Sequence, residues 1–545
     1  MLMMEAQNIE KSYRDRTIIK FTELQAHQGD RIGIVGLNGA GKTTLMDILS
    51  GEQQPDSGMV VHYGKPAVIP QLNEEDGAPA PELESKWQVN ELKEATMSGG
   101  ERTRRKIARA LEQNAGILFA DEPTSHLDLA GIERLEQELN QYPGTVFLIS
   151  HDRELLDAVC TKIIEVEDGE LHEFSGNYSA YREQKEHQKE RAWFEYEEYT
   201  KDKKRLQASA EEKTRKIQRM KKAPSSMGNS EARNSKMYTI GKKAKLDRNV
   251  KAMKSRIEHL DKKEKPKEQE TVQFDIQYFS PVYGKIAIQL ERLTKQYGKR
   301  TLFKELSCSI KPGMKVALVG KNGAGKSTLL NMIMAGNEGV RVAGSGKIGY
   351  FHQDLSVLDD EKSILANVRE DSPYPETMIR TVLARLLFKR DDVFKPVGVL
   401  SGGERVKVSL VKIFLGDFNI LLLDEPTNYL DVFIHEELEA VLEAYPGTIL
   451  FATHDRRLMN QLADHVLAIE EDQAVFFEGN YAQYLKSKEN PKPAGDSKEL
   501  TLMKLENEIA EVVGRLSIPQ KEDSKQELEK RYQGLLNQLR EVKNS

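Results

Sequence analysis

Short apolar runs of strand length, each followed by a polar, helix-length stretch, recur along most of this chain. RIGIV at Arg31–Val35, ILFAD at Ile117–Asp121, KVALV at Lys315–Val319, ILLLD at Ile420–Asp424 and GTILFAT at Gly447–Thr453 are short and mostly apolar, with polar residues chiefly at their ends, which predicts buried strands alternating with helices in an α/β fold. From about Tyr181 to Met220 the pattern changes: there is no Gly or Pro, and Lys, Glu, Gln and Arg dominate. That predicts one long helix of roughly 60 Å at 1.5 Å per residue. Leu246, Val250, Met253, Ile257 and Leu260 then follow spacings of 4, 3, 4 and 3, the seam of a helix paired with another. The two helices are expected to form an antiparallel hairpin. Between them, residues 223–241 hold one Pro, two Gly and many small polar residues. A loop is expected there at the hairpin's far end, displaying Met237, Tyr238 and Ile240. In the tail, Leu502, Leu505, Ile509, Val512 and Leu516, then Leu528, Tyr532, Leu535 and Leu539, mark two amphipathic helices split at Pro519.

Most of these landmarks occur twice. GLNGAGKTT, Gly36–Thr44, and GKNGAGKST, Gly320–Thr328, stand 284 residues apart, each between an apolar run and a helical stretch. In that order, backbone N–H groups and a positive helix end can cradle phosphates, so the chain is expected to bind nucleoside triphosphate at two places. Offsets of 282 to 284 hold as far as Gln71 and Gln353. Beyond them the offset is 303, for SGGE at Ser98–Glu101 and Ser401–Glu404, for Asp121 and Asp424, for His151 and His454, and for GNYSAY at Gly176 and GNYAQY at Gly479. About twenty extra residues therefore enter the second copy between its glutamine and its SGGE. One cassette of about 180 residues is used twice.

A length of 545 residues with 39% hydrophobic content suits two or three domains with real cores. No apolar run approaches the roughly 18 to 20 residues that span a bilayer, so no membrane domain is expected. The start, MLMMEAQNIEKSY, lacks a charged segment followed by an apolar core, and no secretion signal is expected. Two cysteines, Cys160 and Cys308, make no disulfide scaffold, and a reducing cytoplasm fits. The net charge of −6 hides an asymmetry. Residues 201–260 carry 19 Lys plus Arg against 6 Asp plus Glu, a local +13 that leaves about −19 elsewhere. Such a stripe on an acidic body is the footprint of a segment that faces nucleic acid.

Glycine loop, glutamine, SGGE, acidic strand end, the following turn and switch histidine, in that order and in both halves, resemble the nucleotide-binding domains of ATP-binding cassette proteins over roughly residues 1–185 and 287–488. Two cassettes, a linker of about 80 residues and GNYxxY after each cassette narrow the resemblance to the ABC-F class of translation factors. Only 26 residues separate Gln71 from Ser98, so the arm that many members carry there is missing. That absence, with a long linker, resembles the antibiotic-resistance ribosome protection members active against streptogramin A, lincosamide and pleuromutilin drugs. The resemblance implies two P-loop NTPase domains, 1–183 and 285–488, a helical hairpin linker over 184–270 and a helical extension over 496–545.

It also implies composite sites in one polypeptide acting as a monomer. The first glycine loop would work with Ser401, Gly402, Gly403 and Glu404, and the second with Ser98, Gly99, Gly100 and Glu101. Loop residues Gly36, Asn38, Gly39, Gly41 and Thr44, and Gly320, Asn322, Gly323, Gly325 and Thr328, would surround ATP. Lys42 and Lys326 would face the β and γ phosphates. Thr43, Gln71 and Asp121, and Ser327, Gln353 and Asp424, would hold Mg2+. Glu122 and Glu425 would polarise the attacking water, beside the switch residues His151 and His454. Tyr13 and Tyr297, each 23 residues before its loop, would stack on adenine. The partners implied are large-subunit ribosomal RNA at the tRNA exit site and the peptidyl-site tRNA. The function implied is an ATPase that dislodges antibiotics from the peptidyl-transferase region. The alternatives are a housekeeping factor for stalled ribosomes and the soluble ATPase pair of a drug exporter.

Overall fold

The structure, a computed structural model, describes residues 1–14, 16–70, 87, 99–219, 229–260, 262–263, 265, 279–298, 300–352, 358–386, 388, 390–428, 430, 432–470, 473–489, 505, 508–509, 512–516 and 525–544. The chain divides into two compact units, one of residues 1–178 with 270–545, the other of 179–269. The first unit holds both cassettes.

In the first cassette, β1 (Leu2–Tyr13) and β2 (Arg16–His27) pair antiparallel, and with β4 (Ser57–His62) they form one small sheet. A six-stranded sheet runs β5-β6-β7-β3-β8-β9, from β3 (Arg31–Gly36), β5 (Pro66–Ile69), β6 (Ile117–Asp121), β7 (Thr145–Ile149), β8 (Lys162–Glu167) and β9 (Glu170–Ser175). Its first five strands are parallel, and every residue of β3, β6 and β7 is buried, as both-face coverage requires. β9 returns antiparallel through Asp168 and Gly169, at φ 50° and 86°. Asp-Gly is the pair that tolerates such a left-handed two-residue turn. The core packs Leu45, Ile48 and Leu49 of helix α1 (Lys42–Ser50) with Ile32, Ile34, Phe119 and Phe147 of the sheet. The Phe119 and Phe147 rings stack at 5.0 Å.

Strands β10 (Ile288–Tyr297), β11 (Arg300–Ile310), β12 (Lys315–Val319), β13 (Val340–Val342), β14 (Ile348–Phe351), β15 (Ile420–Asp424), β16 (Thr448–Ala452), β17 (His465–Glu470) and β18 (Gln473–Glu478) repeat this plan, with sheet orders β11-β10-β13 and β14-β15-β16-β12-β17-β18. Part of the extra sequence of the second copy forms helices Ile364–Arg369 and Glu376–Arg385. Ile364, Val368, Ile379 and Leu383 seat them in the core shared with the signature helix Gly402–Phe414. In the tail, helix Lys525–Asn544 packs Leu528 and Leu535 on Val512, flanked by Leu505, Ile509, Leu516 and Tyr532. Leu502 and Pro519 lie outside the described residues.

The second unit contains helix Asn229–Glu258 and, from residue 179 onward, helix Tyr178–Arg219. Lys213 Nζ reaches Met253 Sδ at 3.8 Å and Lys263 reaches Glu195 at 2.9 Å, so the second helix runs back along the first. Leu246, Val250, Met253, Ile257 and Leu260 are its half-buried seam. The far end departs from the expected loop over 223–241. The second helix begins at Asn229 and carries Met237, Tyr238 and Ile240 within it; residues 220–228 lie outside the described residues. Ser and Asn cost a helix only tenths of a kcal/mol and one glycine about 1 kcal/mol, which Glu231, Ala232, Lys236 and the lysines from 242 onward offset. Lys242 lies 6.0 Å from the Tyr238 ring, one helical turn away. Tyr238 and Ile240 stay exposed, at 73% and 58%. They project from a helix, not from a loop.

Candidate active site

Parallel strands end together, and the topology decides what their ends deliver. β6, β7 and β3 are neighbours, with Asp121 paired to Ile149 and Ile34 paired to Ile149. Asp121, Glu122, His151 and the loop after β3 therefore converge at one edge of the sheet, where open α/β sheets bind their ligands. The second cassette does the same with Asp424, Glu425, His454 and the loop after β12 (Lys315–Val319).

The loop itself requires glycine. Gly41, at φ 103°, is the N-cap of α1, and a Cβ there would lie 2.6 Å from Ile18 Cγ2. Gly325, at φ 106°, caps the matching helix Lys326–Ala335. Each turn aims a helix N-terminus, with its unpaired N–H groups, into the site. Lys42 Nζ donates to the carbonyls of Gly36 and Leu37 at 2.8 and 3.2 Å, and Lys326 Nζ donates to that of Gly320 at 2.8 Å. Both buried ammonium groups curl over their loops, which places a cation against any anion cradled there.

The acidic strand ends are strongly perturbed. Thr43 and Ser327 hydroxyls donate to the Asp121 and Asp424 carboxylates, while burial raises both carboxyls above their ordinary range. A hydroxyl beside a buried carboxylate is a donor set that fits Mg2+. Burial, then the charge of Asp121, pushes Glu122 up to about 8; burial does the same for Glu425, with Lys326 opposing it. Both glutamates hold left-handed backbones, φ 48° and 49°, a strain that persists only where surroundings enforce it. His151 donates its backbone N–H to Glu122 Oε2 at 3.3 Å, and its Nε2 lies 3.2 Å from Oε1. His454 Nε2 lies 3.5 Å from Glu425 and 3.1 Å from Asn322 Oδ1. Burial, then the neighbouring lysine, holds His151 well below its ordinary range and His454 down to about 3. His151 Nδ1 and His454 Nδ1 have no hydrogen-bond partner among the described residues. The pattern is that of a polar site built around a highly charged anion and a cation.

Linkage makes this testable without nucleotide. Folded protein holds a proton on each glutamate up to about pH 8, whereas the unfolded chain releases it near 4.5. Stability from the protonated form is complete below 4.5 and is lost as pH rises through 8. Replacing both glutamates by glutamine should stabilise the nucleotide-free protein by about 1–3 kcal/mol per site at pH 9, and by much less at pH 5. Thermal unfolding across that range checks it, and a difference that does not grow with pH would contradict the assignment. The depressed histidines act oppositely, costing stability in both proteins as pH falls below 6.5.

The two cassettes share one cavity of about 1440 Å3. Asn38 and Gly39 of the first loop line it with Ser401, Gly403 and Glu404; Asn322, Gly325, Lys326, Ser327 and Thr328 of the second line it with Gly99 and Gly100. Asn322 Nδ2 donates to the His126 carbonyl at 2.9 Å, and a Cβ on Gly100 would sit 3.2 Å from that same Nδ2. The second glycine loop therefore touches the first cassette's signature and the turn after its acidic strand. Ser401 caps the opposite signature helix through a reciprocal pair with Glu404. Tyr297 lines the cavity, while Tyr13 is half-exposed and accepts a hydrogen bond from Gln53 at 2.7 Å. Glu101 lies in the first turn of its helix. Ser98, Gln71 and Gln353 lie outside the described residues. His126 and Asp128 were missed from sequence; both follow a DEPT segment, and the charge of Asp128 acts on Lys326 and His454 across the two cassettes.

The ABC transporter family matches residues 19–78, 71–125 and 303–428. The chain is similar along its length to Ribosome protection protein VmlR of Bacillus subtilis, 34% identical over 98% of this chain and 97% of the relative. It is 31% identical to Energy-dependent translational throttle protein EttA of Haemophilus influenzae, over 88% of this chain and 94% of that one. A solved structure of RNase-L Inhibitor shares the fold, with a TM-score of 0.62 at 20% identity over 88% of this chain and 93% of that one.

Proposed function

Because the chain belongs to the ABC-F family of ATPases, we propose that it works on the ribosome in the cytoplasm, using its basic hairpin at the tRNA exit site to dislodge antibiotics from the peptidyl-transferase region. The observation that carries this reading is one cavity lined by both glycine loops and by signature residues of both cassettes, on the same chain as a paired-helix linker charged +13 over residues 201–260. Length-wide likeness to a ribosome protection protein supports it.

Lys42 and Lys326 neutralise phosphate charge from the loop side, and the backbone N–H groups of the two helix ends orient the phosphates. Thr43 with Asp121, and Ser327 with Asp424, would hold Mg2+, which would supply positive charge to offset that of the phosphates. Glu122 and Glu425, whose ionised forms Lys42 and Lys326 favour, accept a hydrogen bond from the attacking water. His151 and His454, kept neutral by burial, donate toward the γ-phosphate. Signature residues reach the nucleotide only in the closed pair, so ATP binds the closed form better than the open one, as a switch requires. Closure then sets the hairpin's angle against ribosomal RNA and the peptidyl-site tRNA, with Tyr238 and Ile240 presented near its far end.

Likeness to EttA favours a second reading, a translation factor for stalled ribosomes. In vitro translation separates the two. Removing residues 224–240 should abolish protection against a lincosamide, by at least about 10-fold in drug tolerance, while ATP-dependent ribosome binding persists. Full protection by the shortened protein would overturn the hairpin's role. Equal drug sensitivity with and without the intact protein would favour the second reading.

A further inference from the structure

The residue after each switch-loop aspartate is an arginine, Arg153 and Arg456, again 303 apart. Neither is among the residues that line the shared cavity. Arg153, 2% exposed, makes a two-pronged bond to Glu439 of the second cassette, its Nη1 donating to Oε2 at 3.1 Å and its Nη2 to Oε1, and lies 4.0 Å from Glu436 and from Asp455. Arg456 mirrors it, donating to Glu136 of the first cassette at 3.0 Å and lying 2.9 Å from Glu154. Glu136 and Glu439 correspond, on helices Leu129–Gln141 and Val432–Ala444, which follow the turns that reach into the opposite site. Asp152 and Asp455 cap the short helices that begin with the arginines, accepting from Leu155 and Leu458 N–H at 3.1 and 3.0 Å. Each arginine is thus rigidly spaced from its histidine.

The GNYxxY element joins the same contact. Tyr178 hydroxyl donates to Glu436 at 3.3 Å. Its counterpart Tyr481 is buried, and Glu133, the counterpart of Glu436, adds to burial in pushing its phenol up to about 12. Glu136 and Glu439, Glu133 and Glu436, and Tyr178 and Tyr481 each keep the offset of 303, whereas Arg457 stands where Glu154 would have its equivalent.

We propose that Arg153 and Arg456 are positioning residues, a reciprocal latch that ties each switch-histidine loop to the acidic helix of the other cassette, so that the two ATP sites close together. A desolvated, two-pronged arginine–carboxylate pair holds direction as well as distance. It therefore transmits a shift of the histidine loop to the opposing cassette. Arg153 and Arg456 also lie beside each other's switch loops, through Asp455 and Glu154, so the device joins site to site. The inference rests on the histidines' acting at the γ-phosphate.

The test is a charge exchange in the full-length protein. Arg153→Glu and Glu439→Arg alone should each lower kcat for ATP by about 10-fold or more, with nucleotide affinity within about 2-fold of wild type; the double variant should recover to within about 3-fold. Arg456→Glu with Glu136→Arg, at a less buried pair, repeats the test if the first pair folds poorly. A double variant no better than its worse parent in both pairs, or single variants at wild-type kcat, would overturn the latch. A pair with a packing role alone would lower the unfolding temperature without moving kcat per folded molecule. His151→Ala, measured alongside, separates the two claims: its inactivity together with fully active arginine variants would sink the latch and spare the histidine, while its full activity together with exchange-rescued variants would sink the histidine reading and keep the latch.

Discussion

Glutamine at both Glu122 and Glu425 is expected to cut ATP hydrolysis by at least about 100-fold while leaving ATP binding intact. The carboxylates end strands beside Asp121 and Asp424, within reach of His151 and His454, and their strained backbone fixes where they point. Glutamine keeps that shape and its hydrogen bonds but cannot accept a proton from water. The lysines, the hydroxyls and Asp121 and Asp424 are untouched, so nucleotide should still draw the cassettes together. The closed form should therefore accumulate, and steady-state hydrolysis with filter-retained ATP measures both sides. Wild-type turnover by this variant would remove the glutamates from the chemistry.

Gly100 offers the second large effect, and it tests which halves share a site. A Cβ there would stand 2.7 Å from the His126 carbonyl and crowd Asn322, so Gly100→Ala should break the link between the first signature and the second glycine loop. The damage falls on the site containing Lys326, although Lys42 lies in the same cassette as Gly100. In the double-glutamine background, retained ATP should drop from about two per chain to about one with Gly100→Ala. It should stay near one when Lys326→Ala is added and approach zero when Lys42→Ala is added instead. The reverse dependence would mean that each cassette closes on its own nucleotide.

Much of this was legible in the sequence because the chain repeats itself. RIGIV, ILFAD and their second copies are apolar at every position but one charged end, which suits a strand buried on both faces, and the glycines sit where a left-handed turn must precede a helix. The seam from Leu246 to Leu260 likewise follows from spacing alone. The start of the hairpin's second helix did not, because the weak helix formers between Asn229 and Gly241 were outweighed by the stronger ones among and after them. Contacts between cassettes were also hidden. Asn322 meets His126, and Arg153 meets Glu439, across separations that no local pattern encodes; the only trace was that Arg153 and Arg456, like Glu136 and Glu439, keep the offset of 303.

The central claim is that ATP closure of the cassette pair loads the hairpin onto the ribosome. Sedimentation of the Glu122→Gln, Glu425→Gln protein through a sucrose cushion with ribosomes measures it. ATP should carry most of the protein into the ribosome pellet, while ADP or Mg2+ removal should leave it in the supernatant. Equal pelleting with ATP and ADP, or none with either, would contradict the account.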